Sequence, residues 1–343
     1  MSTSRKYRVA VLDDYQDAAR RFGPWQLVEA DIELHVFRDH LHDEAALVER
    51  LRPFEIVCLM RERTPFPARV IDQLPNLKLI VTTAIWNAVL DSAHAVSRGI
   101  TVSGTDSIQN GTPELTWLLV LALARGFEKE RQSMRSGGWQ TGIGLDLRNR
   151  TLGLMGLGNV GKRVARVANA FGMRVLAWSH HLTPERAAES GATRVELATL
   201  LAESDFVSLH LRLSERTHHI IGGNELRAMK PSAYLINTSR GSLVDEGTLV
   251  QALQERVIAG AGVDAYDIEP LAPDHPLRTL PNLIATPHIG YVTEATYHLF
   301  FQQVVEDIRG WLDGRPLRLM GAEAAPVGQP RPIDTTTVKE KST

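Results

Sequence analysis

The sequence predicts an α/β protein built from two doubly wound parallel-sheet domains. Three observations carry this. The chain has 343 residues, more than a single hydrophobic core usually serves. Short apolar runs alternate with helically spaced stretches twice, over residues 7–83 and again over 151–286. Between them lies a segment, residues 112–135, with neither pattern.

In the first stretch, residues 7–12 read as a buried strand, followed by strands at 33–37, 56–60 and 77–83. Helical spacing over 43–51 and 68–74 separates them, as βαβ units require. The middle segment predicts one long helix over 112–135. Thr112-Pro113-Glu114 supplies a capping hydroxyl and a first-turn proline, and Gly137-Gly138 ends it. Residues 115–123 are apolar almost all round, so this helix must be covered on more than one side. The tail over 321–343, rich in Pro, Ala, Thr and Lys and without periodicity, predicts disorder.

Charge and composition exclude several classes. A net charge of -2 leaves no electrostatic footprint for nucleic acid or an anionic membrane. No apolar run approaches the ~20 residues that span a bilayer. The first six residues are polar and carry no signal-peptide core, so a cytoplasmic protein is expected. The single cysteine, Cys58, lies in an apolar run and reads as a small core residue. His180-His181 and His218-His219 have no ligand partners at metal-site spacing, and no metal is expected.

The second stretch opens with a phosphate-binding signature. A strand, Thr151-Leu152-Gly153-Leu154-Met155, runs into Gly156-Leu157-Gly158-Asn159-Val160-Gly161, then helical spacing over 162–171 and a strand over 173–178. Gly156 permits the tight turn, Gly158 lets the backbone approach a pyrophosphate, and Gly161 lets helix and strand pack closely. The phosphate then meets a helix N-terminus. A lone GxGxxG is weak, but here strand, helix and second strand all stand where a dinucleotide needs them. The position that usually carries an acid for the ribose hydroxyls holds Ser179, so both NAD and NADP remain open.

Three further segments begin as strands and end in polar residues: Ile236-Asn237-Thr238-Ser239-Arg240-Gly241, Gly262-Val263-Asp264 through Glu269-Pro270, and Thr286-Pro287-His288-Ile289-Gly290. With the glycine loop, they resemble the D-isomer-specific 2-hydroxyacid dehydrogenase family over residues 7–319. The resemblance implies that Arg240 binds the substrate carboxylate and carbonyl, that His288 is the general acid/base and that Glu269 is its carboxylate partner. It also implies that Asp264 contacts the nicotinamide end, with His210, Thr217 and Thr238 along the cofactor. The implied architecture is a Rossmann dinucleotide-binding domain, residues 107–293, inserted into a smaller flavodoxin-like substrate domain, residues 1–106 and 294–320. The active site of that architecture lies in the cleft. Family members are usually homodimers built around the helix that matches residues 112–135.

Elementary chemistry supports these roles. Hydride delivery to a ketone builds negative charge on oxygen. A guanidinium can fork onto a carboxylate and polarise the carbonyl. An imidazolium can deliver the proton near neutral pH, and a nearby carboxylate favours and orients it. Singly, each residue has an ordinary structural reading; jointly, at strand ends beyond a dinucleotide loop, they point to catalysis.

The family's glycine-rich loop after the fourth strand is altered here. In Thr83-Ala84-Ile85-Trp86-Asn87, two glycines are replaced, by Ala84 and Trp86. Ile85 and Trp86 are candidate substrate-facing residues, with packing at the domain edge the alternative for Trp86. Arg61 follows the third strand, where phosphoglycerate dehydrogenases of the family place a basic residue; a solvated loop is the alternative there. The expected activity is hydride transfer between NAD(P)H and a small 2-oxo or 2-hydroxy acid. Two other readings stay open: a dehydrogenase of another small anion such as phosphite, and a dinucleotide-sensing co-repressor-like protein. Formate dehydrogenases usually carry Gln at the glutamate position, so Glu269 argues against formate.

Overall fold

Short runs of Val, Ile and Leu become the central strands, buried on both faces as parallel strands with helical crossovers must be, while edge strands are only partly covered. The computed structural model describes residues 5–321. Apart from Gly321, the tail expected to be disordered lies outside them. The chain divides into two units, Met1–Ser107 with His298–Thr343, and Ile108–Tyr297.

The first unit holds strands β1 (Tyr7–Val11), β2 (Ile32–Val36), β3 (Ile56–Leu59), β4 (Leu79–Thr82) and β5 (Thr101–Gly104). They pair in parallel in the order β2-β1-β3-β4-β5. The order reverses between β1 and β3, where Val9 registers with Ile56. Ala10, Val57, Ile80 and Val102 carry one face of this sheet into a core shared with Leu51, Phe66 and Ile71. Strand β5 was not anticipated: two of its four residues are polar, and only its pairing with β4 makes it a strand. Cys58 is buried in β3, and burial pushes its thiol up.

The second unit continues with β6 (Thr151–Met155), β7 (Arg174–Trp178), β8 (Thr193–Arg194), β9 (Phe206–Leu209), β10 (Tyr234–Asn237), β11 (Gly260–Val263) and β12 (Leu283–Ala285). Their order is β12-β11-β10-β9-β6-β7-β8, all parallel. Here the reversal falls between β6 and β9. Met155 registers with Leu209, so Gly156 and His210 emerge side by side beyond it.

The single helix expected over 112–135 is two helices, Gly111–Ala124 and Phe127–Arg135. Gly126 takes φ +57, the left-handed conformation that closes a helix, and the chain restarts from it. Thr112 is not the cap either. The helix begins at Gly111, and the Thr112 hydroxyl donates to the Gly290 carbonyl at 3.3 Å. The first helix buries Leu115, Trp117, Leu119 and Leu123 but leaves Leu118 and Leu121 exposed. No helix among the described residues is long and apolar enough to cross a membrane.

Candidate active site

Beyond β6 the chain must turn without colliding with β9. Gly156 has φ +101, and a Cβ there would sit 2.5 Å from the His210 carbonyl oxygen. At Gly161 a Cβ would meet the Gly156 carbonyl at 2.3 Å, so helix and strand pack at glycine distance. Gly158 is different: a Cβ there would meet nothing. Its side of the turn is open space in front of the helix Asn159–Ala170, which Gly158 caps and whose first turn holds Asn159, Val160 and no acid. An open glycine before an uncompensated helix N-terminus fits a pyrophosphate.

His210 lies at the neighbouring strand end. Its Nε2 is 3.0 Å from the Ser208 hydroxyl, while Nδ1 is out of contact with solvent and unpaired. Burial lowers the ring to about 4, so His210 is neutral at physiological pH. Ser179 follows β7, and its carbonyl accepts from Leu182. Exposed His180 follows, its ring edge-on to Trp178. The Thr217 hydroxyl is used within its own loop, donating to the Arg212 carbonyl at 2.7 Å. Thr238 is buried, with its hydroxyl 2.8 Å from that of Thr116.

The carboxyl ends of β10, β11 and β12 are adjacent, and three turns leave from them. After β10, buried Asn237 brackets the turn: its Oδ1 accepts from the Ser239 amide at 3.1 Å and its Nδ2 donates to the Arg240 carbonyl at 2.8 Å. The Ser239 hydroxyl donates to Leu209 at 2.8 Å, fastening the turn to β9. Arg240 Nη1 donates to the Ser239 carbonyl at 2.9 Å.

After β11, Asp264 is buried, and its carboxylate holds the third turn. It accepts from the Thr286 hydroxyl at 2.6 Å and from the amides of Ile289 and Gly290, each at 2.8 Å. Burial pushes this carboxyl up, against the three donors that favour its charged form. The pinned turn carries His288 at φ +52. Glu269 approaches from the β11 side. Its Oε1 accepts from the Tyr266 amide at 2.9 Å, and its Oε2 is 2.6 Å from His288 Nδ1. Burial raises the Glu269 carboxyl, but His288, the Tyr266 amide and the charge of Arg240 together bring it below the usual value. Each side chain of the pair keeps 28% of its surface exposed.

A family model for the D-isomer specific 2-hydroxyacid dehydrogenase, NAD binding domain, matches residues 117–290. The chain belongs to the D-isomer specific 2-hydroxyacid dehydrogenase family. Among its relatives, a glyoxylate reductase of Korarchaeum cryptofilum is 35% identical over 313 residues, 88% of this chain and 94% of that protein. A glycerate dehydrogenase of Methylorubrum extorquens is 37% identical, over 80% of this chain and 88% of that protein. The crystal structure of a phosphoglycerate oxidoreductase from Vibrio cholerae superposes with a TM-score of 0.85 at 37% identity, covering 90% of this chain and 99% of that one. As a D-2-hydroxyacid dehydrogenase, the chain is an oxidoreductase that moves a hydride between a nicotinamide dinucleotide and a 2-oxo or 2-hydroxy acid.

In this dehydrogenase the structure brings Arg240, Glu269 and His288 to three neighbouring strand ends of the second unit. Arg61, Ile85 and Trp86 belong to the first unit, at the carboxyl ends of β3 and β4. Ile85 and Trp86 are exposed, whereas Ala84 is buried at φ +83. The supporting parts played by Asn237 and Tyr266 are not evident from the sequence. An asparagine ending a strand just before the arginine was the available signal; a main-chain amide such as that of Tyr266 leaves none.

Proposed function

We propose that this chain reduces a small 2-oxo acid, with glyoxylate and the oxidised form of glycerate as first candidates because of its relatives. The observation that carries the site assignment is the 2.6 Å pairing of His288 Nδ1 with Glu269. With Nδ1 held there, Nε2 is the nitrogen that donates a proton to the substrate carbonyl oxygen. Arg240 forks onto the carboxylate and polarises the carbonyl. The bound nicotinamide supplies the hydride. Its pyrophosphate would be held at Gly158 by the first turn at Asn159, Val160 and Gly161, with His210, Thr217 and Thr238 alongside. Asp264 acts by fixing the turn that carries His288. In the first unit, Arg61, Ile85 and Trp86 recognise the acid.

Ser179 brings no charge to repel a ribose phosphate, so both NADH and NADPH are accepted. A panel of 2-oxo acids assayed with each cofactor tests the reading. Turnover of at least one acid supports it; tight dinucleotide binding without turnover of any would sink it.

The exposed Leu118, Leu121, Phe127 and Met134 on the helices Gly111–Ala124 and Phe127–Arg135 favour a homodimer through that surface. A mass in solution equal to one chain at micromolar concentration would contradict it. We also assign the enzyme to the cytoplasm, which cell fractionation checks: recovery with membranes would refute it.

A further inference from the structure

The carboxyl ends of β1 and β3 flank the point where the first sheet reverses its strand order. Asp13 stands there, buried, with φ +54. A non-glycine residue in the left-handed region is strained and persists only where its surroundings over-determine it. Those surroundings are specific. Oδ1 of Asp13 is 2.9 Å from His40 Nδ1, and Oδ2 accepts the Thr64 hydroxyl at 2.6 Å. The Asp13 carbonyl accepts from Arg63 Nη1 at 2.6 Å. One residue therefore holds the far end of the short turn that follows β3.

The near end of that turn is tied to the loop after β4. The Arg61 amide donates to the Thr83 hydroxyl at 2.8 Å, and its carbonyl accepts from Asn87 Nδ2 at 2.7 Å. Arg61 itself takes φ +55. The direction of its side chain is thus set by a strained backbone clamped at both ends. Without the Asp13 carboxyl, the Thr64 end loses its anchor and Arg61 is free to relax.

We propose that Asp13 is a positioning residue for Arg61, setting affinity for the 2-oxo acid without touching it. This rests on the reading of Arg61 as a substrate-recognising residue. The test compares Asp13→Asn, Thr64→Val, Thr64→Ser, Arg61→Gln and the double variant Asp13→Asn/Arg61→Gln, measuring kcat and both KM values. Asp13→Asn should raise KM for the acid about tenfold, while kcat and KM for the dinucleotide stay within about twofold. Thr64→Val should give a smaller rise, and Thr64→Ser, which keeps the hydroxyl, should behave as the parent. In the Arg61→Gln background, Asp13→Asn should add nothing, because the residue it positions is gone. Additive effects, or equal losses in kcat and both KM values, overturn the proposal. If Arg61→Gln raises KM and Asp13→Asn does not, the Asp13 role alone fails. If Arg61→Gln leaves KM unchanged, the reading of Arg61 fails and takes the proposal with it.

Discussion

His288 Nδ1 lies 2.6 Å from Glu269 Oε2, although the two residues are 19 positions apart and leave different strands. The contact holds Nδ1 and leaves Nε2 for the proton transfer proposed above. His288→Asn should lower turnover on the order of a hundredfold or more while dinucleotide binding stays near the parent value. Unchanged turnover would remove His288 from the chemistry. Glu269 is held below the usual carboxylate range and so is ionised at neutral pH. A neighbouring anion favours the charged imidazole. Glu269→Gln should therefore shift the alkaline limb of the reduction profile to lower pH, and a shift the other way would refute the pairing.

Arg240 leaves a turn bracketed on both sides by Asn237. Such bracketing suits a forked contact better than a swinging charge. Arg240→Lys keeps the charge and loses the fork. Hydrogen bonds to charged groups contribute about 1.5–3 kcal/mol, so catalytic efficiency should fall roughly 10- to 100-fold. A lysine variant as good as the parent would mean that point charge suffices.

Ser179 follows β7, at the place proposed to face the ribose, and the exposed His180 comes next. Introducing a fixed negative charge beside a ribose phosphate costs more than the lost hydroxyl contact. Ser179→Asp should therefore shift the NADPH-to-NADH efficiency ratio toward NADH. A parent enzyme that already rejects NADPH would show that another residue reads the ribose.

Ala84 sits at φ +83 with its methyl buried. Ala84→Gly relieves about 1–2 kcal/mol of left-handed strain. It also gives up ~0.8 kcal/mol of methyl burial and ~0.5–1 kcal/mol of chain entropy. The terms nearly cancel, so urea unfolding should find the variant within about 0.5 kcal/mol of the parent. Ala84→Val, β-branched at the same φ, should be clearly destabilised. A large loss for glycine together with none for valine would show that the backbone there is not left-handed.

Asp307 is fully buried. One carboxyl oxygen accepts from Arg318 at 3.0 Å, and the other has no partner. Burial pushes its pKa up to about 7, against the pull of Arg318. The folded state therefore holds this proton more tightly than the unfolded chain. The stabilisation is fully present below the unfolded value near 3.8 and is lost as pH rises through about 7. Asp307→Asn removes that term, so its stability relative to the parent should climb with pH between 4 and 7, by at most ~1.4 kcal/mol per unit. Denaturant titrations across that range check it; a difference that stays flat would show that Asp307 is ionised in the native state throughout.

Much of this protein is legible in one dimension. The spacing of Gly156, Gly158 and Gly161 between a strand and a helix is local and so can be read directly, although the His210 carbonyl that excludes a side chain at Gly156 lies 54 residues on. Arg240, Glu269 and His288 are recognisable because each follows an apolar run short enough to be a buried strand, and strand ends in parallel sheets gather at one edge. Tertiary structure decided the rest. The 112–135 segment reads as one helix because its pattern is continuous, and only the left-handed Gly126 divides it. Strand β5 exists because β4 pairs with it, a long-range bond that no alternation announces. Asp264 reads from sequence as a cofactor contact. Its carboxylate also holds Thr286, Ile289 and Gly290, and a strand end meets a turn more than twenty residues away only once the sheet has formed. Residue types and spacing determine what chemistry is available. Which nitrogen of His288 is held, and which turn Asp13 clamps, depends on distances that exist only after the chain has closed on itself.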